Sequence, residues 1–155
     1  MALTYGGFIN DYDPSKYDEY KCEDGRRSGF AKFGATESCP NSGINNLQDF
    51  YNVLFRELKA DRAVVIHGEL KIGGEHWTTV VGYKNGMTQS SNKSMSDFLV
   101  IDPVYCGEEL LSDRFSSLDL NAGNIACWTK RGSFNNHESF ANSRNSSNYC
   151  TLTYN

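Results

Sequence analysis

Apolar positions follow a helical period in one central stretch, a strand pattern after it, and no steady period at either end. In INNLQDFYNVLFRELKA, residues 44–60, Ile44, Leu47, Phe50, Tyr51, Leu54 and Leu58 recur at three- and four-residue steps. This spacing predicts a helix with one apolar stripe. Ser42 is placed to cap it, because a hydroxyl there accepts from a free backbone N–H of the first turn. Ala63-Val64-Val65-Ile66-His67 then reads as a strand covered on both faces, since it is almost continuously apolar. The loop KIGGE leads to a second strand over 76–83, and the polar loop KNGMTQSSNKSMS separates that from a third over 98–102. Pro103 ends the third strand, having no N–H for the ladder. Residues 107–118 predict a short strand or helical turn, and residues 125–129 a last core strand.

The flanks differ from this middle. Residues 1–43 are punctuated by Gly6-Gly7, Asp13-Pro14, Gly25, Gly34, Pro40 and Gly43, which predicts short strands or irregular loops. Residues 132–149 are polar and predict a loop or tail, after which 150–154 can add an edge strand. The reading is a single α+β domain over residues 1–155, with one main helix packed on a central antiparallel sheet. Its parts are an irregular N-terminal segment (1–43), a helix-plus-sheet core (44–130) and a polar tail (131–155). A chain of 155 residues is long enough for one such core.

The two central strands bring chemistry together. In an antiparallel hairpin the start of one strand lies opposite the end of the next. His76 starts one and Asp102 ends the other. Pairing them sets Val80 against Phe98 and Gly82 against Ser96. His76, Thr78 and Val80 then share a face with Asp102, Val100 and Phe98, while Trp77, Thr79, Val81 and Tyr83 join Leu99 and Ile101 on the other. A carboxylate bonded to one ring nitrogen fixes the tautomer and orientation of the imidazole. The second nitrogen can then hold a cysteine as thiolate and later protonate a leaving group. The plainer reading is two polar strand ends with no shared task.

Composition narrows the function classes. The net charge is −4 and the pI about 5.3, which argues against nucleic acid as a partner. No apolar run approaches the roughly 18 residues of a membrane-spanning helix. The N-terminus is not an intact secretory signal, and a mature secreted chain or an excised domain would start in the same way. Five cysteines, Cys22, Cys39, Cys106, Cys127 and Cys150, are compatible with five thiols or with up to two bridges. They form no CxxC pair, so no zinc site is expected, and the thiol chemistry of a Cys–His–Asp set needs no cofactor. Asn92-Lys93-Ser94 and Asn145-Ser146-Ser147 fit the glycosylation pattern, as chance allows in a chain rich in Asn and Ser.

The stretch AVVIHGELKIGGEHWTTVVGYKNG, followed by DFLVIDPVYCGEELLSDRF, resembles the second half of bacteriocin-leader (double-glycine) peptidases and their papain-like relatives. The shared order is a helix, an apolar strand, a glycine-containing loop, His with an aromatic neighbour, a VVGY strand and an apolar strand ending in Asp-Pro. The resemblance implies a papain-like fold and catalytic roles for His76 and Asp102. In that family the nucleophilic cysteine starts a helix well upstream, often as Cys-Gly, with Gln or Asn shortly before it. This chain has no such segment. Cys39 lies just ahead of the 44–60 helix, where a helix N-terminus favours a thiolate. It stands 37 residues before His76, whereas Cys22, at 54 residues, has the more usual spacing but no amphipathic helix after it.

Other residues take structural expectations. Cys106 and Cys127 are expected to be structural, His67 a hydrogen-bonded core residue and His137 solvated. Trp77 and Trp128 are expected as core anchors, with Trp77 alternatively shielding the His–Asp pair. Glu75 is expected as a loop carboxylate. The leading functional expectation is a papain-like cysteine peptidase, or a related thiol hydrolase or acyl transferase, acting on an amide bond of a peptide or protein. It would use His76, Asp102 and either Cys39 or Cys22. The alternative is a catalytically inactive papain-like domain that binds a peptide or partner protein. A third reading is a secreted domain stapled by disulfides with a vestigial pair.

Overall fold

The structure, a computed structural model, describes residues 35–37, 44–60, 62–102, 107–121, 126–130, 140–141 and 149–151. Its helix, α1, runs Leu47–Lys59 and begins later than the apolar periodicity suggests. Asn46 is the N-cap, its side-chain oxygen accepting from Asp49 N at 3.0 Å, while Asp49 Oδ2 accepts from Asn45 N at 2.9 Å. These bonds satisfy two backbone donors at the helix entrance, which fixes the start there. Ser42, the cap expected from sequence, lies outside the described residues. The stripe is buried from Phe50 onward, through Tyr51, Leu54 and Leu58, but Leu47 is 45% exposed. Helical side chains lean toward the N-terminus, so a first-turn Leu leans past the end of the packed surface.

The strands are β1 (Ala35–Glu37), β2 (Val64–Leu70), β3 (Glu75–Lys84), β4 (Phe98–Asp102), β5 (Gly107–Leu110), β6 (Phe115–Leu118), β7 (Ala126–Lys130), β8 (Phe140–Ala141) and β9 (Tyr149–Thr151). All pairings are antiparallel, in the order β1-β7-β2-β3-β4-β5. Two strands are each shared end to end. The outer edge of β2 takes β7 at Val64–Val65 and β6 at Gly68–Leu70. The edge of β3 beside β2 takes β2 as far as Val80 and β9 at Gly82–Lys84. Among the described residues there is one long helix beside this sheet, an α+β arrangement. β1 is a short strand of the kind the N-terminal segment predicted, whereas β8 falls in the stretch read as a loop or tail; each is held by a partner elsewhere in the chain.

The β3–β4 register differs from the expected one. Thr79 faces Ile101, Val80 faces Val100, and then Gly82 faces Leu99 and Tyr83 faces Phe98, leaving Val81 as an extra residue. Ser96 belongs to a 3-10 turn, Met95–Asp97, instead of a strand. A shift of two residues preserves the faces, because the side-chain period is two. The bulge at Val81 then reverses parity beyond it. Tyr83 thus joins Val80, Phe98 and Val100 on the core face, contrary to expectation, and meets Phe55 of α1 edge-on at 5.1 Å. The core between α1 and the sheet contains Phe50, Tyr51, Leu54, Phe55, Leu58, Val64, Ile66, Val80, Phe98 and Val100.

The polar stretch between β3 and β4 is anchored. Gln48 of α1 both donates to Lys93 O and accepts from Lys93 N at 3.1 Å. The buried Lys93 ammonium donates to Asn52 Oδ1 at 2.7 Å, Gln89 O at 2.8 Å and Ser91 O at 2.9 Å. Burial lowers the Lys93 pKa from its ordinary value, while nearby Asp97 opposes the shift. Among the described residues no helix is long and apolar enough to cross a membrane.

Candidate functional site

At the β2–β3 turn Gly73 and Gly74 take φ of 89° and 88°, a region that favours glycine, and Leu70 N bonds Gly74 O at 2.9 Å. This tight return sets Gly68 opposite His76. Gly68 is required by close approach: a methyl there would overlap the Ser117 carbonyl oxygen and stand 2.9 Å from Phe115 Cδ1. β6 therefore sits against this end of the sheet.

His76, on the core face of β3, and Asp102, at the end of β4, meet there. Nε2 of His76 lies 3.1 Å from Oδ1 of Asp102. They are diagonal neighbours: Thr78 occupies the place nearest Asp102 in the register, and its hydroxyl donates to Ile101 O at 2.8 Å. Diagonal residues on one face remain within reach of long side chains. Asp102 is 0% exposed and the His76 side chain 21%, so the carboxylate forms the floor and the imidazole lies between it and solvent. With Nε2 directed at the carboxylate, Nδ1 is the ring nitrogen left for a reacting group.

A third side chain completes the cluster. Arg114 Nε donates to Asp102 Oδ2 at 2.7 Å, with the Arg114 side chain only 11% exposed. Glu109 Oε2 stands 3.9 Å from the same Nε. Arg114 arrives through a crossover. From β5, on the outer edge of β4, the chain makes one helical turn, Leu111–Arg114, and enters β6 on the outer edge of β2. Leu111 and Phe115 bury themselves in the core on either side of Arg114. Lys71 N donates to Arg114 O at 3.1 Å, which ties this turn to the β2–β3 hairpin. Sequence reasoning missed Arg114, because strand parity relates adjacent strands only. The available signal was the spacing of Leu111 and Phe115, two apolar residues that pin the turn between them.

No protein-family model, curated protein or solved structure matches this chain.

The opposite face carries a second cluster. His67 pairs with Trp77 across the strands, its ring 4.7 Å from the indole. His67 Nδ1 lies 3.3 Å from Asp119 Oδ2 and Nε2 lies 3.9 Å from Glu75 Oε2. His67 is thus hydrogen-bonded as expected, yet it lies outside the core cluster and lines an open cavity of about 380 Å³ with Glu69, Glu75, Ser117 and Asp119. Trp77 is 39% exposed, not a core anchor, and being odd-numbered on β3 it faces away from His76. Glu75 is the exposed first residue of β3 instead of a loop residue. Among the described residues no three His, Cys, Asp or Glu side chains are grouped so as to hold a metal ion.

Cys22, Cys39, Cys106 and His137 lie outside the described residues. The backbones of Cys127 and Trp128 lie on β7 and that of Cys150 on β9.

Proposed function

We propose that the chain is a papain-like thiol hydrolase or acyl transferase acting on the amide bond of a peptide or protein, with His76 as base and acid and Asp102 as its orienting partner. The observation that carries this reading is the 3.1 Å contact between His76 Nε2 and a fully buried Asp102 carboxylate. A carboxylate held there fixes the proton on Nε2, so the lone pair of the neutral ring lies on Nδ1. Nδ1 takes the proton of a cysteine thiol as sulfur bonds to the substrate carbonyl carbon. The tetrahedral intermediate collapses with breakage of the C–N bond, and Nδ1 returns the proton to the leaving amine. Water, or an acceptor amine, then releases the acyl group from sulfur. The nucleophile is Cys39, with Cys22 as the other candidate. Cys39 is preferred because it is, in sequence, the cysteine nearest ahead of α1.

Limiting iodoacetamide near pH 7 tests the proposal, because an ordinary thiol with a pKa of about 8.5 is mostly protonated there and slow. Selective labelling of Cys39 that disappears in His76→Ala supports the assignment. Selective labelling of Cys22 with the same dependence moves the nucleophile but keeps the reading. Slow and equal labelling of every accessible cysteine, unchanged by His76→Ala, favours a catalytically inactive papain-like domain that binds a peptide or partner protein.

A further inference from the structure

We infer that Arg114 is a positioning residue for the His76–Asp102 pair, supplying the countercharge to Asp102 so that balancing the carboxylate requires no proton on His76. This rests on the reading of His76 as the base. A fully buried carboxylate needs a positive partner, since an unbalanced charge in the interior is strongly unfavourable. Among the described residues, Arg114 Nε stands 2.7 Å from Oδ2 and His76 Nε2 3.1 Å from Oδ1. A guanidinium is always protonated, so Arg114 balances the charge at any working pH. The histidine can then keep Nδ1 unprotonated, which is what accepting a thiol proton demands. Without Arg114, protonation of His76 becomes the way to balance the carboxylate, and a ring protonated on both nitrogens accepts nothing.

The neighbouring charges do not replace this role. Glu109 approaches Arg114, not His76, and shares the guanidinium from its partly exposed side. Gly68, which faces His76 on β2, carries no charge. Glu69, Glu75 and His67 belong to the opposite face of the sheet, by the pairing of Glu69 with Glu75 and of His67 with Trp77. Arg114 is also fixed from behind, since its carbonyl accepts from Lys71 N and its flanking Leu111 and Phe115 are buried. Its geometry is thus set by the fold and not by solvent.

The test is an NMR pH titration of the His76 ring in the full chain, the resonance being assigned by its loss in His76→Gln. The midpoint is expected to move to higher pH in Arg114→Met and in Arg114→Gln, which keeps a donor without the charge, and to return toward the native value in Arg114→Lys. Should Arg114→Met fail to fold, Arg114→Gln against Arg114→Lys carries the comparison. An unmoved midpoint in the neutral variants, or an equal displacement in Arg114→Lys, overturns the inference, because a purely structural role does not follow charge. The titration needs neither a cysteine nor a substrate. A shifting midpoint with no reactive thiol would defeat the enzyme reading and leave the charge role standing. A reactive thiol with an unmoved midpoint would defeat the role of Arg114 alone.

Discussion

Asp102 shows how one residue acquires a role from its surroundings. In sequence it is the polar end of FLVID, before a proline. In the structure each carboxylate oxygen has its own partner, His76 on one side and Arg114 on the other. Removing one member of a buried ion pair leaves the other charge uncompensated, which typically costs about 3–5 kcal/mol. Asp102→Asn should therefore lower the unfolding free energy by about that amount in urea titration. A loss below about 1 kcal/mol would place the pair in the weak class of solvated ion pairs. The His76–Asp102 contact was legible from strand parity, since a two-residue register shift leaves both on one face. Arg114 was not, because it reaches the site through a crossover between opposite edges of the sheet.

At the scale of elements, α1 was the most legible part of the chain, and its error was confined to one end. Periodicity identified Phe50, Leu54 and Leu58 as core residues, and all three are fully buried. It also included Leu47, which the capping at Asn46 places in the exposed first turn. Leu54→Ala is expected to cost about 2–5 kcal/mol, as large-to-small changes in packed cores do. Leu47→Ala should stay within about 0.5 kcal/mol, the usual range for surface changes. Parallel chemical denaturation of the two variants checks this, and equal losses would mean that the stripe is buried evenly. The bulge at Val81 was invisible to the alternating pattern, because VVGY is apolar at consecutive positions and parity carries no signal there. The polar loop before β4 concealed a buried lysine for a related reason: composition marks Lys93 as solvated, while its cage comes from Gln89, Ser91 and Asn52.

For the molecule as a whole, these buried groups imprint an alkaline pH dependence on stability. Tyr51 stacks on Phe98 at 5.7 Å, and burial first, then Asp97, raises its pKa above 10.0. A raised folded pKa contributes stability that is present below the unfolded value of 10.0 and is lost as pH rises through the folded value. Lys93 has the opposite sign. Its lowered folded pKa makes its contribution complete above the unfolded value of 10.5 and lost as pH falls through the folded value. Unfolding free energies measured from pH 8 upward should therefore decline less steeply above pH 10 in Tyr51→Phe than in the native chain. An identical decline would show that the Tyr51 phenol ionises in the folded protein as it does in the unfolded one.

The sequence alone determined the α+β class, the place of the main helix, the three central strands and the face shared by His76 and Asp102. Each follows from a local period, 3.6 or 2, that neighbouring residues enforce. The tertiary structure decided the rest. The strand register, with its bulge, depends on how Tyr83 and Phe98 pack under α1, and the exposure of Trp77 depends on which face of the sheet α1 covers. The partner of Asp102 depends on where a crossover turn is pinned by Leu111 and Phe115. These outcomes are contacts between residues whose relation is set by chain path, and no period in the sequence encodes a path.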